Sequence, residues 1–183
     1  MRKLSREEWI YGAFDALAAG GIDALRVEPL AAALRVTKGS FYHHFENRRA
    51  LHLAMLDEWE RSGTELVIVD VDSGSLEPSD RLLALASRAF TADPQVDRIE
   101  TGIRAWAITD DVVAAACDRV DERRIDYVVG ILRSVGFSKA LATRRARLLY
   151  RVMIGDATWR TAGGPASSKK EVAELIDLLL TNG

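Results

Sequence analysis

Leu25-Arg26-Val27-Glu28-Pro29-Leu30-Ala31-Ala32-Ala33-Leu34-Arg35-Val36-Thr37-Lys38-Gly39-Ser40-Phe41-Tyr42-His43-His44-Phe45 is the stretch whose reading decides the fold. Val27, Leu30, Ala31 and Leu34 recur at helical spacing, and Pro29 falls in a first turn, where a missing N–H costs little. The pattern breaks at Arg35-Val36. Thr37 then stands at the cap position of a second short helix that ends by Phe45. Phe41 and Phe45, four residues apart, are expected to be buried and to wedge that helix against its neighbour. The opposite side offers Lys38, Gly39, Tyr42 and His43. A helix so equipped, set at an angle by a companion, has the form of a helix-turn-helix that reads DNA.

Working outward, Ser5 and Glu8 predict a capping box opening a helix through Trp9, Ile10, Ala13, Phe14 and Leu17, which Gly20-Gly21 stops. Asn47 predicts the cap of a fourth, long helix through Leu51, Met55, Leu56 and Trp59. Residues 69–80, with Gly74, Ser75 and Pro78, read as a connector, although Leu66 to Val71 also suits the tail of the fourth helix. Further helices are expected from about Asp80 to Thr91, from Val96 to Ile108, from a Thr109 cap to Gly136, from Ser138 to Trp159, and from Lys169 to Thr181. No strand is predicted. The fold class is all-α: an N-terminal three-helix helix-turn-helix DNA-binding domain (1–46), then a C-terminal helical ligand-binding and dimerisation domain (47–183), with 47–66 as the connecting helix.

Composition sets outer bounds. The 183 residues are 48% hydrophobic and 28% charged, ordinary for a globular protein, and the net charge is -2. Residues 1–52 carry 8 Lys/Arg against 6 Asp/Glu, and the rest 17 against 21, so the mild basic excess lies near the start. Cys117 is the single cysteine, which excludes an intrachain disulfide and favours a reducing setting. Behind Arg2 and Lys3 no apolar run resembles a signal-peptide core, and no window reaches the ~18–20 apolar residues of a membrane span. A cytoplasmic protein with no membrane partner is expected. The pattern G-x-S-x-G, the P-loop and H-E-x-x-H are all missing, so no catalytic residue and no enzyme is predicted. His43, His44 and His52 lack the cysteine or carboxylate that would complete a metal set, so neither a metal nor a cofactor is expected.

In the DNA-reading constellation, Lys38 is the candidate for a base edge, since an ammonium reaches guanine O6/N7. Thr37, Ser40, Tyr42 and His43 are candidate donors to phosphate, and Gly39 permits close approach to the sugar-phosphate wall. Arg48, with the open amides at the start of the fourth helix, is a candidate phosphate contact.

Residues 9–56 resemble the N-terminal domain of the tetracycline-repressor (TetR/AcrR) family of bacterial transcription regulators. The matching pattern is Gly21 … Val27-x-x-Leu30-Ala31-x-x-x-x-Val36-Thr37-Lys38-Gly39-Ser40-Phe41-Tyr42-x-His44-Phe45-x-Asn47-Arg48-x-x-Leu51. Two positions depart from it. Arg35 stands where the family usually has glycine; a left-handed conformation there costs about 1 kcal/mol, so the expectation is either a reshaped turn or an arginine that gains a contact back, a phosphate being one candidate. Leu25-Arg26 replaces the usual Thr or Ser, so Arg26 is expected to substitute a charge-assisted contact for a hydroxyl cap.

The resemblance implies Lys38 to His43 in the major groove, a homodimer on a palindromic double-stranded DNA operator, and a body that binds a small-molecule effector. A repressor released by its effector is the expected mechanism. The alternatives are a ligand-independent DNA-binding adaptor and, further off, an all-α enzyme. Candidate effector contacts are Phe90, Ile103, Trp106, Cys117, Tyr127, Tyr150, Met153 and Trp159, taken as an apolar lining with a few polar groups. Candidate dimer contacts are Leu148, Val152, Leu175, Ile176, Leu179 and Leu180 on the last two helices.

Overall fold

A computed structural model describes residues 4–74, 76–91 and 93–181. Arg2, Lys3 and Ser75 therefore lie outside the described residues. The described chain is helical throughout: α1 (Arg6–Gly20), a 3-10 turn (Ile22–Leu25), α2 (Val27–Ala33), α3 (Lys38–His44), α4 (Arg48–Glu60), a π-helical stretch (Arg61–Glu65), α5 (Leu66–Ser73), α6 (Pro78–Phe90), α7 (Pro94–Ala107), α8 (Asp111–Val135), α9 (Lys139–Thr161) and α10 (Lys169–Leu180).

Helix starts follow the cap chemistry. Ser5 and Glu8 close a reciprocal capping box on α1, Asn47 accepts from the Ala50 amide at the start of α4, and Ser138 accepts from the Leu141 amide at the start of α9. Ser168 and Glu171 form a second capping box on α10, which the sequence reading passed over. Two expectations are corrected. Thr37 holds the cap position of α3, but its side chain makes no cap bond. Asp110, and not Thr109, caps α8: its Oδ1 accepts from the Val112 and Val113 amides at 3.0 and 3.4 Å. A carboxylate one residue nearer the helix also answers the positive end of the helix dipole.

The connector expected over 69–80 shrinks, because α5 runs to Ser73 and α6 begins at Pro78. Helices α6 and α7 both start on a proline, two residues before their predicted starts. The first helical position is where proline fits, because its missing N–H leaves no helical bond unmade.

Helix ends are equally local. The amide of Arg35 donates to Ala32 O and that of Val36 to Ala31 O, at 3.1 and 3.0 Å, and Arg35 has φ 55. This is the left-handed closure that glycine usually provides, here on an arginine at a cost of about 1–2 kcal/mol. The ends of α8 and α9 show the same bond pattern with Gly136 and Gly163 at the left-handed position.

The chain divides into two compact units. The first comprises Met1–Gly63 with Arg98–Cys117, and the second Thr64–Asp97 with Asp118–Gly183. The first unit keeps α4 and takes back the later part of α7 and the start of α8. In it α1 packs against α2, α4 and the 3-10 turn. Its core includes Trp9, Leu17, Leu25, Leu30, Phe41, Leu51 and Met55. Residue 102 joins that core closely: a Cβ on Gly102 would meet Leu17 Cγ at 3.2 Å. Trp59 and Trp106 are also buried there, Trp59 donating to Glu100 Oε2 at 2.9 Å.

In the second unit α6 packs on α9 and α10. Leu82, Phe90, Ile131, Leu132, Leu149, Val172 and Ile176 are central to its core. One buried ionic knot ties three helices there. The Arg160 guanidinium donates to both carboxylate oxygens of Asp97 (2.7 and 2.8 Å) and to the carbonyls of Phe90 and Ala89 (2.8 and 3.1 Å). It also bonds Asp156, which in turn accepts from Ser167. Trp159 is the exception among the tryptophans, 61% exposed and lying against Gly164.

Candidate nucleic-acid interface

The α3 helix is held from behind by aromatic rings. Phe41 is fully buried and meets Trp9 edge-on at 5.4 Å between centroids, and Phe45 lies tilted against it at 5.5 Å. Such aromatic pairs add to the area that they bury. The wedge expected from the i, i+4 spacing is therefore present, and it fixes which side of α3 faces outward.

That outward side carries Lys38, Gly39, Tyr42 and His43, all exposed, with Thr37 beside them. Ser40 and His44 are half-buried. Tyr42 stands edge-on to Phe41 at 5.2 Å, so its ring is steadied while 52% of the residue stays open. His43 meets His44 edge-on. Among the described residues nothing demands a glycine at position 39: a Cβ there would meet only Thr37 Oγ1, at 3.8 Å.

Lys38 has a partner that the sequence did not disclose. Its ammonium bonds the Glu28 carboxylate from α2. That bond holds the Lys38 pKa above its ordinary value and the Glu28 pKa below its own. Both groups are open to solvent, so the pair orients more than it stabilises. No single-helix periodicity signals it, since the partners sit ten residues apart on two helices.

Arg26 is exposed, and its Nε donates to Asp23 O at 3.2 Å, so it closes the 3-10 turn and makes no side-chain cap bond to α2. Arg48 is exposed at the first position of α4. Arg49, beside it, is engaged with Asp110 Oδ2 at 2.9 Å.

The residues read as effector contacts do not gather in one unit. Ile103, Trp106 and Cys117 belong to the first unit and are buried. Phe90, Tyr127, Tyr150, Met153 and Trp159 belong to the second. Phe90 is core, with Tyr127 and Met153 packed against the same cluster. Buried Tyr150 donates to Asp121 Oδ1 at 2.6 Å, and Tyr127 to Asp72 Oδ1 at 2.7 Å.

The dimer candidates divide too. Leu148 and Val152 are 55% and 45% exposed, whereas Ile176 is 2% exposed in its own protomer's core and offers no surface to a partner. Leu175, Leu179 and Leu180 are partly covered by the same core. Leu178, unnoticed in the sequence, is the most exposed apolar residue of α10 at 75%.

A short helix wedged by aromatics, crossed by a companion and joined to a helical body, defines the helix-turn-helix class of protein. Residues 10–55 match the family described as bacterial regulatory proteins, tetR family. The likeness covers residues 10–55, and it is over these that the chain resembles that family of bacterial regulatory proteins. Among curated relatives, the transcriptional regulator AcuR of Cereibacter sphaeroides is 32% identical over 101 residues, 55% of this chain and 44% of AcuR. The match thus spans less than half the length of that relative. Among solved structures, a transcriptional regulator from Rhodococcus sp. Rha1 is similar at TM-score 0.77 and 18% identity, over 97% of this chain and 94% of that one. The regulator FadR of Bacillus subtilis, solved in complex with stearoyl-CoA, is similar at TM-score 0.75 and 15% identity, over 97% and 98%. At these identities the structural likeness establishes the fold alone. Among the described residues no helix is long and apolar enough to cross a membrane.

Proposed function

We propose that this chain is a transcriptional repressor whose homodimer binds a palindromic operator through α3 and is released by a small-molecule effector. The observation that carries the reading is the outward face of α3, built from Lys38, Tyr42 and His43 around a glycine that the protein itself does not require. A bare backbone is needed there only if something outside comes close, and a sugar-phosphate wall does. Lys38, held by Glu28, reads a base edge. Thr37, Ser40, Tyr42, His43, Arg26 and Arg48 position the backbone.

Two α3 helices one DNA turn apart, ~34–36 Å, fit successive major grooves. The exposed Leu148, Val152 and Leu178, with the half-covered Leu175, Leu179 and Leu180, supply an apolar patch for the second copy. The stearoyl-CoA complex of a protein with this fold supports an effector role for the body. Induction requires the effector to favour the state that does not bind DNA; equal affinity for both states would shift nothing.

The test is selection of bound duplexes from a random pool, followed by affinity measurement at fixed salt. Lys38→Ala is expected to cost about 1–3 kcal/mol and to relax one base position. Tyr42→Phe weakens binding without change of specificity, and Arg48→Ala lowers the salt slope by about one. A pool that yields no preferred sequence, or variants that bind as tightly as the parent protein, would refute the reading.

A further inference from the structure

The first unit holds a cleft of about 260 Å³ whose wall includes Arg48, Arg49, His52, Trp106, Asp110 and Ile22. Three separate observations bear on what fits it. His52 is only 4% exposed, and its Nε2 meets no hydrogen-bond partner among the described residues, a costly state for a buried polar atom. Its ring stands edge-on to Trp106 at 4.6 Å, which fixes its orientation.

The second observation is charge. Asp110 is spoken for by Arg49 and by the Val112 and Val113 amides. Among the described residues Arg48 has no carboxylate partner, and Arg49 and Asp110 offset each other, so the wall keeps a net positive charge. The third is the opening of α4, a helix of 13 residues. Asn47 satisfies the Ala50 amide, but those of Arg48 and Arg49 have no acceptor within the helix, and the positive end of its dipole lies there.

We propose that this cleft is a seat for a small oxyanion, a carboxylate or a phosphate, gripped by Arg48 and the first amides of α4, with the His52 imidazole accepting a proton more readily while the anion is bound. The volume lies below the ~300–1,000 Å³ of drug-sized pockets, so the ligand is small, with its apolar part against Ile22 and Trp106. Exposed Arg48 can also meet a DNA phosphate, as the operator reading has it, but a phosphate that stays on the duplex cannot follow into the cleft beside His52, which is almost wholly covered. Burial first, then the charges of Arg48 and Arg49, push the His52 pKa down to about 4, while Asp110 pulls it back up. A bound anion adds to the pull of Asp110 and offsets both arginines, so protonation and anion binding favour each other. None of this rests on the operator reading, and the test uses DNA-free protein.

The three histidines are titrated by NMR in chloride, inorganic phosphate and benzoate at matched ionic strength. His52 is expected to rise by about one pKa unit or more in phosphate or in benzoate, equivalent to at least about tenfold tighter anion binding to its protonated form. The two salts separate the phosphate source from the carboxylate source. His43 and His44 stay in place, and Arg48→Gln reduces the shift of His52. The proposal is overturned if His52 titrates alike in all three salts, or moves only in step with His43 and His44. A shift produced by a short duplex but by neither small anion would also overturn it.

Discussion

Arg160→Met is the sharpest perturbation of the second unit. The Arg160 side chain is 8% exposed, and its partners Asp97 and Asp156 are 5% and 16% exposed. Methionine matches much of the aliphatic length but removes every donor. Two carboxylates and the carbonyls of Ala89 and Phe90 lose the bonds that the guanidinium made to them. Removing one partner of a buried ion pair costs about 3–5 kcal/mol, mostly through the charge left behind. For a chain of this size that lowers the melting temperature by about 6–20 °C.

The assay is calorimetric melting of the parent protein, Arg160→Met, Asp97→Asn and the double variant. The double variant should be less destabilised than the two single losses added together, with a coupling of about 1–3 kcal/mol, because neutralising Asp97 removes the stranded charge. A single-variant loss below about 1 kcal/mol, or additivity within about 0.5 kcal/mol, would refute the reasoning.

Other expectations follow from caps, titration and surface. Ser168→Ala breaks the capping box of α10 and should lower stability by about 0.5–2 kcal/mol in urea melts; an unchanged midpoint would count against it. His52 is depressed to about 4, against an ordinary value near 6.5. Its contribution is therefore complete above about pH 6.5 and is lost as the pH falls toward 4, since the unfolded chain then binds the extra proton. The full shift corresponds to at most about 3 kcal/mol, and solvent in the cleft screens this to about 1–2 kcal/mol. Between pH 7.5 and 5, His52→Gln should lose that much less stability than the parent chain, and parallel pH curves would argue against the assignment. Leu148→Glu with Val152→Glu should convert a dimer to a monomer in sedimentation at micromolar concentration; a variant that remains dimeric moves the interface elsewhere.

What the sequence disclosed was local. The helical rhythm, the Ser5, Asn47 and Ser138 caps and the Phe41–Phe45 wedge each depend on residues within one or two turns of one another. What it withheld depends on distance along the chain. The Lys38–Glu28 pair bridges two helices, and the Arg160 knot joins residues more than sixty positions apart. The return of residues 98–117 to the first unit leaves no periodic trace, because an amphipathic stripe records that a face is buried but not against what. Ile176 was misjudged for the same reason: apolar periodicity is identical whether the covering surface belongs to the same protomer or to another. The expected starts of α6 and α7 fall two residues late for a different reason: proline interrupts a helix interior but suits a first turn.

The placement of the indoles has a practical consequence. Of the four tryptophans, Trp9, Trp59 and Trp106 lie in the first unit, at 0%, 5% and 4% exposure, and Trp159 in the second at 61%. A water-facing indole emits at longer wavelength than a shielded one and is open to collisional quenching by iodide. The intrinsic fluorescence of the unlabelled protein is thus already separated by colour and by quencher. Unfolding or ligand capture in either half can be followed in one cuvette without a dye.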